Sequence, residues 1–149
     1  MRAVVQRVFS ARVEVLGETV GAIERGLVAF VGVGKGDGPA DVAWVVEKVV
    51  GLRVFEDDAG KMSLALADVG GALLVVSQFT LYGDVSRGRR PSFDLAMPPA
   101  EAEPLVDLFV AEARARGVRV ETGRFRAEMR VVVDNDGPVT IAIASKREP

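Results

Sequence analysis

Leu27 to Val33 is an unbroken apolar run closed at each end by a glycine, Gly26 and Gly34, and it is short enough to be a strand sunk in a core. A second run, Ala72 to Leu81, opens with Leu73, Leu74, Val75 and Val76 and is the strongest strand candidate in the chain. Strands of this kind have to be covered by other elements, and the pattern supplies them. Ala3 to Phe9 alternates in polarity, while Arg12 to Leu16 and Thr19 to Ile23 flank Gly17-Glu18 as a hairpin. Val42, Val45, Val46 and Val49 recur at helical spacing behind a glycine-rich turn, Lys35 to Pro39. Asp37 or a neighbour is placed to cap that helix, and Gly51 to end it. Leu52 to Glu56 resumes as a strand. Pro98 and Pro99 punctuate a loop, and Val106, Phe109, Val110 and Ala113 mark a second helix ending before Gly117. Val118 to Thr122, Met129 to Val133 and Val139 to Ser145 read as closing strands. This order predicts one α+β domain over residues 1–149, with a mainly antiparallel, barrel-like sheet and two principal helices.

Two absences narrow the chemistry. The chain has no cysteine, which excludes disulfides, thiolate nucleophiles and thiolate metal sites and fits a reducing compartment. It has no histidine, which excludes Ser-His-Asp catalysis and His-ligated zinc. An enzyme of this composition works with carboxylates, hydroxyls, backbone groups, Lys, Arg, or its own substrate. The longest uncharged run, Val69 to Gly83, is too short to span a bilayer, and residues 1–7 lack the apolar stretch of a secretory signal. The formal charge of −2 argues against indiscriminate coating of nucleic acid. One tight basic knot, Arg87, Arg89 and Arg90, is nevertheless a candidate for phosphate contacts, with a solvated loop as its alternative.

Most polar clusters have ordinary explanations. Gly32, Gly34, Gly36 and Gly38 lack the Lys-Ser/Thr ending of a phosphate loop and read as a turn. Asp57-Asp58 also reads as a turn, since no second acidic cluster has calcium-loop spacing. Two islands remain. Ser77, Gln78, Phe79 and Thr80 follow the buried run, at a strand end where scaffolds present functional groups; Ser77 and Thr80 equally suit capping of backbone groups. Asp134 to Thr140 holds the only Asn of the chain, Asn135, and the dipeptide Gly137-Pro138; a surface turn is its plain reading.

Together these segments resemble the D-aminoacyl-tRNA deacylases of the D-tyrosyl-tRNA deacylase type. The resemblance runs along essentially the whole chain: Met1 to Val8, Gly60-Lys61-Met62, Leu74 to Leu81 with its Ser-Gln-Phe-Thr signature, Arg89 to Phe93, and Asn135 to Thr140. Ser63 stands where the pattern has Asn, and Arg126 where Gly123 to Met129 would carry another glycine.

The resemblance implies a cytoplasmic homodimer that hydrolyses the ester joining a D-amino acid to the 3′ end of tRNA, without metal or cofactor. Ser77 to Thr80 would line the pocket for the aminoacyl group and terminal adenosine, with Met129 beside them. Gly137-Pro138 would form a Gly-cisPro motif reaching into the partner subunit's site and rejecting L-amino acids, held in place by Arg7. An aminoacyl ester is already activated, so a site without His or Cys need supply only orientation and charge stabilisation. A backbone oxyanion site at Phe79 and Thr80, with Gln78 positioning, is favoured over Thr80 as nucleophile, because a neutral hydroxyl without a base is a poor one. Two other readings stay open: a non-catalytic RNA-binding module, and an esterase acting on small D-amino-acid derivatives.

Overall fold

The computed structural model describes Met1 to Lys146. β1 (Arg2–Val15) is one long strand where the polarity pattern suggests two, and β2 (Glu18–Ile23) returns along it. Val15 pairs with Glu18, so the tight turn is Leu16-Gly17, one residue earlier than expected. A two-residue turn of this twist needs positive φ at both centres, and Leu16 (φ 50) and Gly17 (φ 80) provide it. The chain continues through β3 (Gly26–Gly32), α1 (Pro39–Val50), β4 (Phe55–Glu56), β5 (Met62–Leu64), α2 (Leu66–Val69) and β6 (Ala72–Ser77). A 3-10 turn (Phe79–Tyr82), α3 (Pro99–Ala115), β7 (Arg119–Thr122) and β8 (Arg130–Ala144) complete it.

The sheet runs β2-β1-β3-β6-β7, with β8 added on β1. β1 is antiparallel to β2, β3 and β8, but β3–β6 and β6–β7 are parallel. The sheet is thus mainly antiparallel and nearly closed, as expected, with parallel pairing confined to β3, β6 and β7. The reason is connectivity: α1 and α3 are crossovers, and a crossover helix returns the chain parallel to the strand it left. The far edges, β2 and β7, approach until a Cβ on Gly21 would overlap the Thr122 carbonyl.

Burial on both faces explains the two apolar runs. Leu27, Ala29 and Val31 of β3, with Leu73 and Val75 of β6, pack toward α1 and α3 against Val42, Val45, Val46, Val49, Phe109 and Ala113. Val28, Leu74 and Val76 point the other way, to a second core with Val8, Val13 and Ile23. Parallel strands covered on both sides read as continuous hydrophobic sequence rather than alternation. Along β1 the parity of the inward residues changes after Val8, from Val8 to Ala11, Val13 and Val15, because the register against β8 shifts between Val8 and Ser10.

At α1 the cap is Gly38, whose N–H donates to the Asp41 carboxylate at 2.9 Å. Asp37 has another task. It is buried, accepts from the Gly34 N–H at 2.7 Å, and pairs with the Met1 amine at 2.6 Å and Lys146 Nζ at 2.9 Å. No helix among the described residues is long and apolar enough to cross a membrane.

Candidate active site

β6 delivers its last residue, Ser77, beside Val31 of β3, at the C-terminal edge of the parallel pair. The Gln78 N–H donates to the Val31 carbonyl at 2.8 Å, and the chain then turns into the 3-10 segment. Glycines make room for that turn. A Cβ on Gly32 would sit 2.8 Å from the Gln78 carbonyl, and one on Gly34 would sit 2.6 Å from Cζ of Tyr82. The glycine-rich stretch thus permits close approach of the turn to β3, as a structural element rather than a phosphate cradle.

A cleft of about 680 Å³ opens here, within the range of small-ligand sites. Ser77, Gln78 and Phe79 form one wall, and Phe125, Ala127, Met129 and Val131 another. Phe93 and Ala96 to Pro99 close the third side, with Phe79 and Phe93 in edge-to-face contact, ring centroids 5.1 Å apart. Phe79 nonetheless remains 58% exposed, so a large aromatic face is offered to the cleft and solvent. The sequence pattern does not single out the wall from Ala96 to Pro99, because a loop has no periodicity to read. Here Pro98 precedes the first turn of α3 and Pro99 opens it.

Among the described residues, the N–H groups of Phe79 and Thr80 donate to no backbone or side-chain acceptor, as expected for the first residues of a helical turn. The Thr80 hydroxyl accepts from Gln78 Nε2 and, among the described residues, makes no hydrogen bond to a carboxylate or amine. Thr80 is exposed and is not part of the cleft lining.

Arg7 and Gly137-Pro138 lie elsewhere, and they lie together. On β1 only Arg7 separates Gln6 from Val8, whereas their partners on β8 are Thr140 and Asn135. Asp136 to Val139 therefore bulge out opposite Arg7, which is why the sequence there reads as two strands and a turn. Asn135 clamps the base of the bulge, its Nδ2 donating to the carbonyls of Arg7 at 2.8 Å and Val139 at 3.2 Å. Arg7 sits in the middle of β1, and it is only 6% exposed. Its Nη1 donates to the Val54 carbonyl at 2.6 Å. Its Nε lies 3.2 Å from Asp136 Oδ2, close enough to pair charges but off the N–H axis. The Gly137-Pro138 bond is cis, Gly137 has φ 127, and both residues are exposed. Neither they nor Arg7 line this chain's own cleft.

Arg87, Arg89 and Arg90 are exposed on a loop pinned at its base by paired backbone bonds between Asp84 and Ser92, each 2.8 Å. The Ser86 hydroxyl and N–H hold the Asp84 carboxyl below the usual carboxylate range. The departures from the family pattern are also placed. The Ser63 hydroxyl donates to Asp57 at 2.7 Å and, with the Lys61 N–H, lowers that carboxyl's pKa, so Asp57 belongs to its turn. Arg126 follows Phe125 in a turn closed by the Ala127 N–H to the Arg124 carbonyl at 3.2 Å. It has φ 63, in the left-handed region that costs a non-glycine residue about 1 kcal/mol.

The family model described as D-Tyr-tRNA(Tyr) deacylase matches residues 4–144. A D-aminoacyl-tRNA deacylase of Sorangium cellulosum is 70% identical over 148 residues, 99% of each chain, and one of Thermotoga petrophila is 57% identical over 147 residues, again 99% of each. Among solved structures, the c-Myc DNA Unwinding Element Binding Protein superposes with a TM-score of 0.93 at 42% identity, covering 99% of this chain and 100% of that one. A probable eukaryotic D-amino acid tRNA deacylase shares the fold, with a TM-score of 0.81 at 19% identity over 95% and 97% of the two chains. A chain that carries both signature segments at the places described, and matches these proteins end to end, belongs to the D-Tyr-tRNA(Tyr) deacylase family.

Proposed function

We propose that this protein hydrolyses the ester between a D-amino acid and the 3′ end of tRNA, working as a cytoplasmic homodimer. Beyond family membership, the observation that carries this reading is the pair of N–H groups at Phe79 and Thr80 that no acceptor among the described residues takes, on a turn that begins in the wall of the cleft. They suit the oxyanion that develops when water, assisted by the ribose 2′-hydroxyl, adds to the ester carbonyl. The new C–O bond forms from water, the bond to the ribose oxygen breaks, and the water's proton ends on that oxygen. Gln78 and Ser77 orient the acyl group, and Met129 packs beside it. Incubation of purified protein with matched D- and L-tyrosyl-tRNA is the direct test, and equal persistence of both esters refutes the proposal.

Thr80 serves this site through its amide. With Gln78 occupying its hydroxyl and no base beside it, Thr80→Ala is expected to lower kcat by about tenfold, since the backbone donors remain. A folded variant without detectable turnover would make the hydroxyl essential.

The partner subunit enters because Gly137-Pro138 lie exposed and away from this chain's cleft. A two-fold exchange would let each bulge complete the other's site. Light scattering is expected to give a dimer at concentrations where the enzyme is active.

Arg87, Arg89 and Arg90 are assigned to the tRNA backbone. Replacing all three by glutamine should flatten the salt dependence of tRNA binding, lowering the slope by about 2 for three lost contacts to single-stranded phosphate. An unchanged slope in a salt titration would return the loop to solvent. The neighbour at 42% identity is named for binding DNA, which favours a second reading, nucleic-acid binding without turnover. Tight binding of D-tyrosyl-tRNA without its hydrolysis would select it.

A further inference from the structure

Only two of the side chains lining the cleft are charged, Arg126 and Glu128. Arg126 is exposed and has no ion pair or hydrogen bond among the described residues. It also stands at the third position of a four-residue turn, Arg124 to Ala127, with positive φ following a residue whose φ is negative. That geometry favours glycine, so the arginine stands against the local backbone preference with no compensating contact among the described residues. Backbone strain of this kind concentrates at ligand sites. The other non-glycine residue with positive φ among the described residues, Leu16, is at an exposed hairpin tip and does not line this cleft.

We propose that Arg126 is a specificity-determining residue that grips the terminal phosphodiester of the charged nucleic acid, the anion immediately upstream of the adenosine that carries the amino acid. A planar guanidinium with five donors matches two phosphate oxygens, and a free one needs no existing pair to be broken first. The apolar walls of Phe79, Phe93, Met97 and Met129 take the aminoacyl group and base, and Arg126 supplies the one cation among the lining residues. The contact separates a nucleotide-linked ester from a simple amino-acid ester that fills the same pocket. This inference rests on the functional reading above.

The experiment compares two substrates, D-tyrosyl-tRNA and 3′-O-D-tyrosyl-adenosine, which lacks the phosphate. In the parent enzyme kcat/KM should favour the tRNA. Arg126→Gly and Arg126→Asn both suit a left-handed position, so both are expected to fold, checked by thermal unfolding. Each should lower kcat/KM for the tRNA at least tenfold more than for the adenosine ester, chiefly through KM. Each should also reduce the salt-dependence slope for tRNA by about 0.7, the value for one lost phosphate contact on a single strand. Arg126→Lys, which keeps the charge, should retain most of that slope. Variants that leave the ratio of the two substrates and the salt slope unchanged overturn the inference while the functional reading survives. A parent enzyme that cleaves neither substrate overturns the functional reading and this inference with it.

Discussion

Arg7→Ala is expected to be the most damaging single truncation at the bulge, lowering stability by about 3 kcal/mol and kcat/KM by about a hundredfold. The stability loss has two parts. The Val54 carbonyl loses the donor that now reaches it at 2.6 Å, and a buried acceptor without a partner costs about 1–3 kcal/mol. Asp136 loses its counter-charge, although its side chain is 27% exposed and water recovers part of that cost. The activity loss follows from position. Arg7 touches both sides of the bulge, pairing with Asp136 through its guanidinium and accepting from Asn135 at its carbonyl. Arg7→Ala keeps the carbonyl and the Asn135 clamp but removes the guanidinium that tethers the Asp136 side. Gly137-Pro138 thus gains freedom, and a displacement of about 1 Å in a positioning group can cost two orders of magnitude in rate. Arg7→Lys keeps the charge but not the fork, so an intermediate loss is expected. Urea denaturation and D-tyrosyl-tRNA hydrolysis measure the two effects separately; an active, fully stable Arg7→Ala variant would show that the bulge holds itself.

Much of this arrangement is legible in the sequence because burial leaves a local mark. Leu27 to Val33 and Leu73 to Val76 read as buried strands since both faces of each are covered. The valines of α1 show the helix because one stripe alone meets the sheet. Ser77 to Thr80 stands out as polar residues arriving directly after such a strand. What escapes the sequence is whatever depends on pairing at a distance. The parallel direction of β3 and β6 is set by the crossover through α1, and no residue pattern within the strands records it. The continuity of β8 is hidden because its bulge uses residues that also make ordinary turns, Asp136, Gly137 and Pro138. The cleft wall of Phe93 and Ala96 to Pro99 lacks any period, and only its apposition to Phe79 gives it a role. The glycine expected at position 126 was a readable signal of another kind: the backbone there does adopt positive φ, and the arginine that occupies it is the anomaly.

Chirality is the second large effect. The parent enzyme is expected to cleave D-tyrosyl- and glycyl-tRNA and to spare L-tyrosyl-tRNA by more than the ~200-fold that a deformable pocket achieves on a single small group. A wall that cannot repack does better, and Gly137-Pro138 has the right properties for one. Proline fixes its own φ, and Gly137 is boxed in by its neighbours. A Cβ built on Gly137 would lie 2.7 Å from Cγ2 of Val139, 2.9 Å from the Val139 nitrogen and 3.3 Å from Nη2 of Arg7. If this segment of the partner subunit occupies the space an L side chain needs, exclusion requires no recognition of the D side chain, and glycine, lacking Cβ, passes. Gly137→Ala then has to displace the wall, because φ 127 is a conformation L residues rarely adopt and the added carbon meets backbone as well as side chain. The variant should lose at least tenfold in the ratio of D- to L-tyrosyl-tRNA cleavage, along with part of its rate on the D-substrate. Parallel rate measurements on D-, L- and glycyl-tRNA decide the matter. Refusal of glycyl-tRNA by the parent would mean that the D side chain is itself recognised, and an unchanged D/L ratio in folded Gly137→Ala would place the chiral filter elsewhere.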